Sequence, residues 1–372
     1  MNFIVSQSEL LKNLLAVDAV INSKNTNPIL DNFLFQVQNN KLDIVGSDGA
    51  TTVIAEMPLE SQGTGEYAVP AEKLVNTIKN LSEQPLTFTV EENQLRITSE
   101  KGKYNLPVLD GKDFPMPAPI ADAFERQITG SLLAEGITKT IFATGNDELR
   151  VAMNGILFHF TPERLNLVAT DAHKLVRFSV NSIKTGEEEY LEYILPKKPM
   201  NILKNLLAKN DTAVNMRFSE KRAEFSFDNI RLFTTLIDGK FPLYEKVIPT
   251  DNPFMLIANR ETLLSSIRRV SFYANQSTYL VQLILRGSSL VVTARNDEMA
   301  SEADEELTVN YQGEDLNIGF NGRSLAEMLA ALDSEEVEMT FSSPKRAALI
   351  APLDGLSEEE DILMLLMPIA IG

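Results

Sequence analysis

Two histidines, His159 and His173, and the absence of cysteine limit the reactive chemistry this chain offers. Asp171-Ala-His173 brings an acid and an imidazole close in sequence, a pair that could ligate a metal or exchange a proton. A metal site needs further ligands, and acid–base catalysis needs a partner group in a cleft. Neither is marked by spacing here, so a structural role for His173 is the simpler reading. Without cysteine there are no disulfides, iron–sulfur clusters, thiolate zinc sites or cysteine nucleophiles. Asp110-Gly-Lys112 and Asp238-Gly-Lys240 lack the upstream glycine and following Ser/Thr of a phosphate-binding loop, and Gly63-Thr-Gly65 has no third glycine before a helix. All three read as turns. Carboxylates are plentiful, yet no pair stands out by spacing for two-acid hydrolysis. No catalytic centre, metal or cofactor is expected.

Basic residues form a second, more ordered pattern. On a helix beginning near Lys197, with about 100° per residue, Met200, Ile202, Leu203, Leu206 and Leu207 share one face and Lys197, Lys198, Lys204 and Lys209 the opposite one. Arg268 and Arg269 turn away from Leu263, Leu264, Ile267 and Val270 in the same way, and Lys73 and Lys79 flank Leu74, Val75, Ile78 and Leu81. Acids crowd other segments: Glu187 to Glu189, Glu302 with Asp304 to Glu306, and Glu358 to Asp361. A solvated lysine face is ordinary on any single helix. Its recurrence along the chain points to a positive helical surface inside an acidic molecule of net charge -18.

The elements that carry these residues repeat. An apolar hairpin ending in a small-polar-Asp step occurs at Asn32–Val37 to Asp48, Gly155–Phe160 to Asp171, and Val281–Leu285 to Asp297. A second landmark follows at Leu109-Asp-Gly-Lys-Asp-Phe-Pro115, Ile237-Asp-Gly-Lys-Phe-Pro242 and, more weakly, Leu353-Asp-Gly355. Such recurrence marks three copies of one unit of ~120 residues. Helical patterns span roughly 6–20, 130–143 and 259–274, then 70–81, 196–209 and 321–332. Pro70 and Pro196 suit helix starts. Alternating strands such as Leu86-Thr-Phe-Thr-Val90 follow. Each unit is thus two halves of helix plus antiparallel sheet, an α+β fold. Proline-rich junctions at 114–120 and 247–253 divide the chain into domains 1–123, 124–251 and 252–372.

Composition agrees with a globular multidomain protein: 44% hydrophobic and 23% charged residues lie between disordered and membrane chains. The first 21 residues interrupt their apolar positions with Glu9, Lys12 and Asp18, unlike a secretion signal. No stretch approaches a membrane span, so the cytoplasm is the expected compartment.

Ala169-Thr-Asp-Ala-His-Lys-Leu175, Asp238-Gly-Lys-Phe-Pro-Leu-Tyr-Glu-Lys-Val-Ile-Pro249 and Leu366-Met-Pro-Ile-Ala-Ile371 together resemble the bacterial DNA polymerase III beta subunits, the sliding clamps. The resemblance spans the whole chain. It implies three tandem clamp domains, with two chains joined head to tail as a ring whose helices line a central hole. It further implies sequence-independent, topological binding of duplex DNA, which reconciles the acidic net charge with a DNA partner because few strong phosphate contacts are needed. The implied partners are a replicative polymerase, an ATP-driven loader acting in trans and other proteins carrying short clamp-binding motifs. By motif match, Lys24, Arg150, Lys197, Lys198 and the other helical cations Lys73, Lys79, Lys204, Arg268 and Arg269 would face DNA. The client pocket would comprise Met153, Thr170, His173, Lys174, Leu175, Pro242, Val247, Leu365, Met367, Pro368 and Ile369, an apolar lining suited to Leu or Phe anchors. Phe272 and Tyr273 match the edge that meets the partner copy. Core packing would equally explain Leu175, Val247, Leu365 and the aromatic pair. The chain departs from the family pattern at Ala172 and Lys174, where glycine and arginine are usual, at Ser324, where an aromatic is common, and at Ala370 with Gly372. A scaffold that binds only proteins is the competing reading. It predicts that neutralising Lys197, Lys198 and Lys204 leaves all binding unchanged.

Overall fold

The computed structural model describes residues 2–22, 25, 27–91, 93–186, 189–207 and 211–371. Its helices fall where the apolar periodicity places them: α1 (Gln7–Asp18), α2 (Ala71–Lys79), α3 (Gly130–Ile141), α4 (Lys197–Leu207), α5 (Arg260–Ser271) and α6 (Gly322–Ala330). Three begin on side-chain caps, with Ser6, Asn259 and Asn321 accepting from backbone N–H groups of the first turn. Such caps stabilise a helix by about 1 kcal/mol each. Helix α2 buries Leu74, Val75 and Ile78, and α4 buries Met200, Ile202, Leu203 and Leu207, while Leu206 is half-exposed. A fully buried aliphatic side chain contributes about 1.5–3 kcal/mol.

The same sequence of elements runs three times: a strand leading into a helix, a three-stranded meander, a strand leading into a second helix, and another meander. Short extra strands decorate the first and third copies. By contacts the chain forms two compact units, Met1–Ala134 with Lys198–Leu236, and Glu135–Lys197 with Ile237–Gly372. These units cut across the sequence repeats because the sheets do.

In the first unit, the meander Asn32–Gln38, Lys41–Ser47, Thr51–Pro58 continues into Ile230–Thr235, Arg222–Phe227, Ala213–Phe218 and Phe124–Thr129, giving nine strands with Gly65–Pro70 and then the short Leu109–Asp110 at the other edge. The joining pair is antiparallel, with Val53 opposite Leu232. A five-stranded sheet in the same unit ends at the strand Lys103–Pro107. In the second unit, Gly155–Phe160, Leu165–Thr170 and Lys174–Val180 continue into Glu360–Leu366, Ala348–Pro352 and Glu336–Phe341, with Val176 opposite Met364. A four-stranded sheet there ends at Ser301–Thr308. The first half-sheet of one repeat therefore pairs with the second half-sheet of the next.

One predicted landmark is corrected. Asp110 and Asp238 lie beyond the last meander strand of their repeats, whereas Leu353-Asp354-Gly355 lies in the turn before the last strand, Glu360–Leu366. Asp354 accepts from the backbone N–H groups of Glu335 and Glu336, so it shapes that turn instead. The true third counterpart of the Asp-Gly-Lys segment is the chain end beyond Leu366.

Candidate functional site

The small-polar-Asp step is a hairpin tip, and its repetition identifies its role. Asp48 Oδ1 accepts from the N–H groups of Ala50 and Thr51 at 3.0 and 2.8 Å, and Asp171 Oδ1 accepts from those of His173 and Lys174 at 2.8 and 2.9 Å. Asp171 therefore does in the second repeat what Asp48 does in the first, which has no histidine beside it. Its other oxygen lies 3.3 Å from Lys174 Nζ. Among the described residues there is no cluster of three His, Cys, Asp or Glu side chains able to hold a metal ion.

Around this tip the second unit brings together many of the residues expected to line an apolar groove. Leu175 and Leu365 are paired across adjacent strands, and both are buried in a cluster with Leu157, Val168, Ile194, Phe241, Tyr244 and Ala347. They form the floor, not the surface, of any groove. Thr170 is also buried and donates its hydroxyl to Lys174 O at 2.8 Å. His173 is exposed, and its carbonyl accepts from Met367 N at 2.8 Å, which fixes the start of the C-terminal segment against the tip. Met367 is 41% exposed and Val247 57%, so these two present apolar surface to solvent. Val247 ends the short 3-10 turn Tyr244–Val247, with Pro242 half-buried just before it. Met153 ends another such turn, Val151–Met153, whose Ala152 packs on the cluster. Ile369 extends further, bonding through its N–H to Gly319 O at 2.7 Å, with Pro368 half-buried between. A Cβ on Gly319 would lie 2.9 Å from Ile369 O, so that position needs glycine for the segment to approach.

Two departures from the family pattern have structural consequences. Ala172 has φ +77, the left-handed region that costs a residue with a Cβ, and the equivalent position of the first repeat is Gly49 at φ +92. Lys174 is buried and its ammonium bridges Asp171 and, at 3.2 Å, Glu327 on α6.

Sequence reasoning missed Phe241, Tyr244, Ile194, Ala347, Ile237, Ile248 and Leu349 of this cluster. Four of them lie in the quoted Asp-Gly-Lys segment or beside it, and the alternation of Phe241 and Tyr244 with exposed residues was the available signal. It also missed a buried polar network beneath that segment. Tyr244 Oη lies 2.9 Å from His159 Nδ1 and 3.4 Å from Asn166 Nδ2, and Asn166 Oδ1 accepts from Ser179 Oγ at 2.7 Å. Burial lowers the His159 pKa and pushes the Tyr244 hydroxyl well above its ordinary range.

The basic residues divide into free and engaged. Lys73, Lys79, Arg150, Arg268 and Arg269 are exposed, while Lys197, Lys198 and Lys204 are half-buried. The expectation of a purely basic solvent face on α4 is corrected: Lys198 Nζ donates to Val20 O, Asn22 Oδ1 and Asp48 Oδ2, tying α4 to the first repeat's hairpin tip. Arg150 pairs with Asp147 at 2.8 Å, and Arg269 makes a two-pronged contact with Glu305 at 2.7 and 2.6 Å. Among the described residues Lys73, Lys79, Lys204 and Arg268 have no ion-pair partner. Lys24, Lys209 and Gly372 lie outside the described residues. Phe272 is 86% exposed and Tyr273 45%, which argues against the core reading of this pair.

Comparison with known proteins adds to this geometry. Sequence profiles of the N-terminal, central and C-terminal domains of the DNA polymerase III beta subunit match residues 1–118, 127–243 and 245–369. The beta sliding clamp of Pseudomonas aeruginosa is 29% identical over 373 residues, covering 100% of both chains. That of Haemophilus influenzae is 29% identical over 366 residues, covering 98% of this chain and 99% of its own. Among solved structures, the P. aeruginosa sliding clamp bound to griselimycin superposes with a TM-score of 0.94 at 29% identity, covering 100% of both chains. A Bacillus subtilis polymerase sliding clamp, at 23% identity, shares the fold with a TM-score of 0.94 over 100% of both chains.

Proposed function

This chain belongs to the DNA polymerase III beta subunit family, and from that membership we propose how it works as a DNA sliding clamp, the processivity factor of a replicative polymerase. Two copies join head to tail into a closed ring of six clamp domains, each copy contributing 1–123, 124–251 and 252–372, with helices toward the hole. The observation that carries this reading is the pairing rule of the sheets. Twice within the chain, the last strand of a first meander pairs with the last strand of the next repeat's second meander. Two strands of these types are left as open edges, Ser301–Thr308 and Lys103–Pro107. A second copy supplies the missing partner at each.

Charge supports the same closure. The open strand Ser301–Thr308 carries Glu302, Asp304, Glu305 and Glu306, and the other edge carries Lys103 with Lys101 beside it. Transferring the internal register places Tyr104 opposite Ala303 of the partner copy, Lys103 opposite Asp304 and Lys101 opposite Glu306. The hairpin tips follow a parallel rule: Asp48 bonds Lys198 on α4 and Lys174 bonds Glu327 on α6. The third tip, at Asp297, would then meet α2 of the next copy. Phe272 and Tyr273 follow the helix whose Arg269 bonds Glu305 of that edge, Met299 lies in the turn leading into it, and all three are exposed and would be covered there.

Encirclement explains how a protein of net charge -18 retains DNA. The unpaired cations Lys73, Lys79, Lys204 and Arg268 are the strongest candidates for facing the duplex, with Lys197, Lys198, Arg150, Arg269 and Lys24 as secondary ones. Client proteins insert Leu or Phe anchors over Leu175 and Leu365, between Val247 and Pro242 on one side and Met367–Ile369 on the other, with Met153, Thr170, His173 and Lys174 completing the rim. An ATP-driven loader opens the ring in trans, and this chain turns over nothing itself. No described helix is long and apolar enough to cross a membrane, and we place the protein in the cytoplasm with its DNA.

The test is retention on DNA of defined topology. Protein loaded onto closed circular DNA should stay bound and be lost once the circle is cut. Equal retention on both forms would refute topological binding, and failure to associate even with a loader would favour the protein-only scaffold.

A further inference from the structure

The client groove has one wall on the 3-10 turn Tyr244–Val247, and the turn's only side chain that reaches through the core to polar partners is Tyr244. We propose that the His159–Tyr244–Asn166 network is the positioning device for this wall, so that His159 and Tyr244 govern client affinity without touching the client. This inference rests on the groove reading above.

The geometry is specific. His159 lies on the strand Gly155–Phe160, Asn166 opposite it on Leu165–Thr170, and Ser179 opposite Asn166 on Lys174–Val180. The latter two strands end and begin at the hairpin tip that carries Thr170, His173 and Lys174. One hydroxyl therefore couples the turn bearing Val247 to the strands bearing the opposite rim. Because Asn166 Oδ1 is taken by Ser179 Oγ, the amide presents its N–H group to Tyr244. With His159 neutral, Tyr244 donates to Nδ1 and accepts from Asn166, and both lone-pair and proton demands of the hydroxyl are met. Protonated His159 would instead bring a second N–H donor to the same oxygen. The Tyr244 proton would then have to leave its acceptor inside a buried cluster, an arrangement that favours release of the turn.

Charged and titratable neighbours bear on both groups. Glu192, directly across from His159, and Glu245 on the turn favour the protonated imidazole, burial opposes it more strongly, and the Tyr190 ring stands 6.0 Å away. Arg177 and Arg164 act on Tyr244 from the sheet side, together with Glu245 and Glu192. His173 lies exposed on the rim itself, so any pH effect must be read as a difference between proteins that share it.

The probe is a short fluorescent peptide ending in Leu-Phe and free of groups that titrate between about pH 5 and 8, bound to the full-length protein. The unmodified protein should lose about fivefold in affinity between pH 7.5 and 5.5, the worth of one buried hydrogen bond. His159→Gln keeps an acceptor for Tyr244 but cannot titrate, and should bind normally at pH 7.5 with a profile flatter than that of the unmodified protein. Tyr244→Phe should bind severalfold more weakly at pH 7.5 while still forming dimers. Identical pH profiles for the unmodified protein and His159→Gln would overturn the positioning role. If the unmodified protein binds the peptide but Val247→Asp binds it equally well, the groove itself is misplaced and both readings fall.

Discussion

Reversing the charge of the basic sheet edge should dissociate the proposed ring. Lys101 and Lys103 are exposed, and the transferred register sets Lys103 opposite Asp304 and Lys101 opposite Glu306 of the partner. An exposed ion pair contributes about 0.5 kcal/mol and a like pair costs a similar amount, so each Lys→Glu change shifts a contact by about 1 kcal/mol. Two changes shift one contact by about 2 kcal/mol. A head-to-tail ring of two copies contains the contact twice, for a total of about 4 kcal/mol, or about a thousandfold in the dimer dissociation constant. Sedimentation velocity across a concentration series reads this directly, and the effect should shrink as added salt screens exposed charges. Adding Asp304→Lys and Glu306→Lys to the same chain restores opposite charges at both contacts and should recover most of the dimer. Unchanged dimerisation of the Lys101→Glu, Lys103→Glu protein would refute the edge pairing. So would failure of the fourfold swap to rescue a protein that still folds.

Other expectations follow from single positions. Ala172→Gly should raise stability by about 1 kcal/mol, read as an increase in unfolding midpoint, because it removes the left-handed strain at φ +77; no gain would mean the strain is offset elsewhere. Val247→Asp should abolish most client-peptide binding while leaving the unfolding midpoint nearly unchanged, since that side chain is mostly in solvent. For His159, burial lowers the folded pKa below the ordinary value of about 6.5, so the unfolded chain binds the proton more readily between those two values. Its contribution to stability is thus fully present above about 6.5 and is lost as pH falls toward the folded value. Urea unfolding at pH 7.5 and 5.5 should show a smaller loss in His159→Gln than in the unmodified chain.

The repeat, the six helices and the alternating strands were legible in sequence because each rests on local periodicity: α2 and α4 are visible from Leu74-Val75-Ile78 and Met200-Leu203-Leu207 alone. The sheet topology was not. Pairing of Thr51–Pro58 with Ile230–Thr235 joins strands far apart in the chain, and no local pattern encodes that partnership. Lys198 failed for the same reason. Its angular position on α4 is that of a solvated lysine, and only the fold brings Val20 O, Asn22 and Asp48 within reach. The proposed groove rests on motif resemblance, which named residues such as Val247 and Met367 but not the buried Phe241 and Tyr244 of the apolar cluster. The weak third Asp-Gly was misassigned because two residue types in a turn carry little positional information.

The repeats also separate scaffold from function. Register places Leu30 where Met153 stands, Thr52 where Leu175 stands, Phe233 for Leu365 and Thr235 for Met367, while Asp48 and Asp171, Phe114 and Phe241, and Pro115 and Pro242 correspond unchanged. The shared residues do the same structural work in both units: the aspartates close hairpin tips, and the phenylalanines pack their segments onto a sheet in equivalent clusters. What differs is the lining. Thr52 is buried beside a hydroxyl partner, Ser47, whereas Leu175 offers apolar floor beneath Val247 and Met367. One chain thus carries two copies of the same junction, and the proposed client site differs from its counterpart by a few apolar positions. The distinction has a direct consequence for mutation: changes at the shared positions should damage folding at both junctions alike, whereas changes at the exposed Val247 and at the divergent, exposed Met367 should act on the proposed client binding alone.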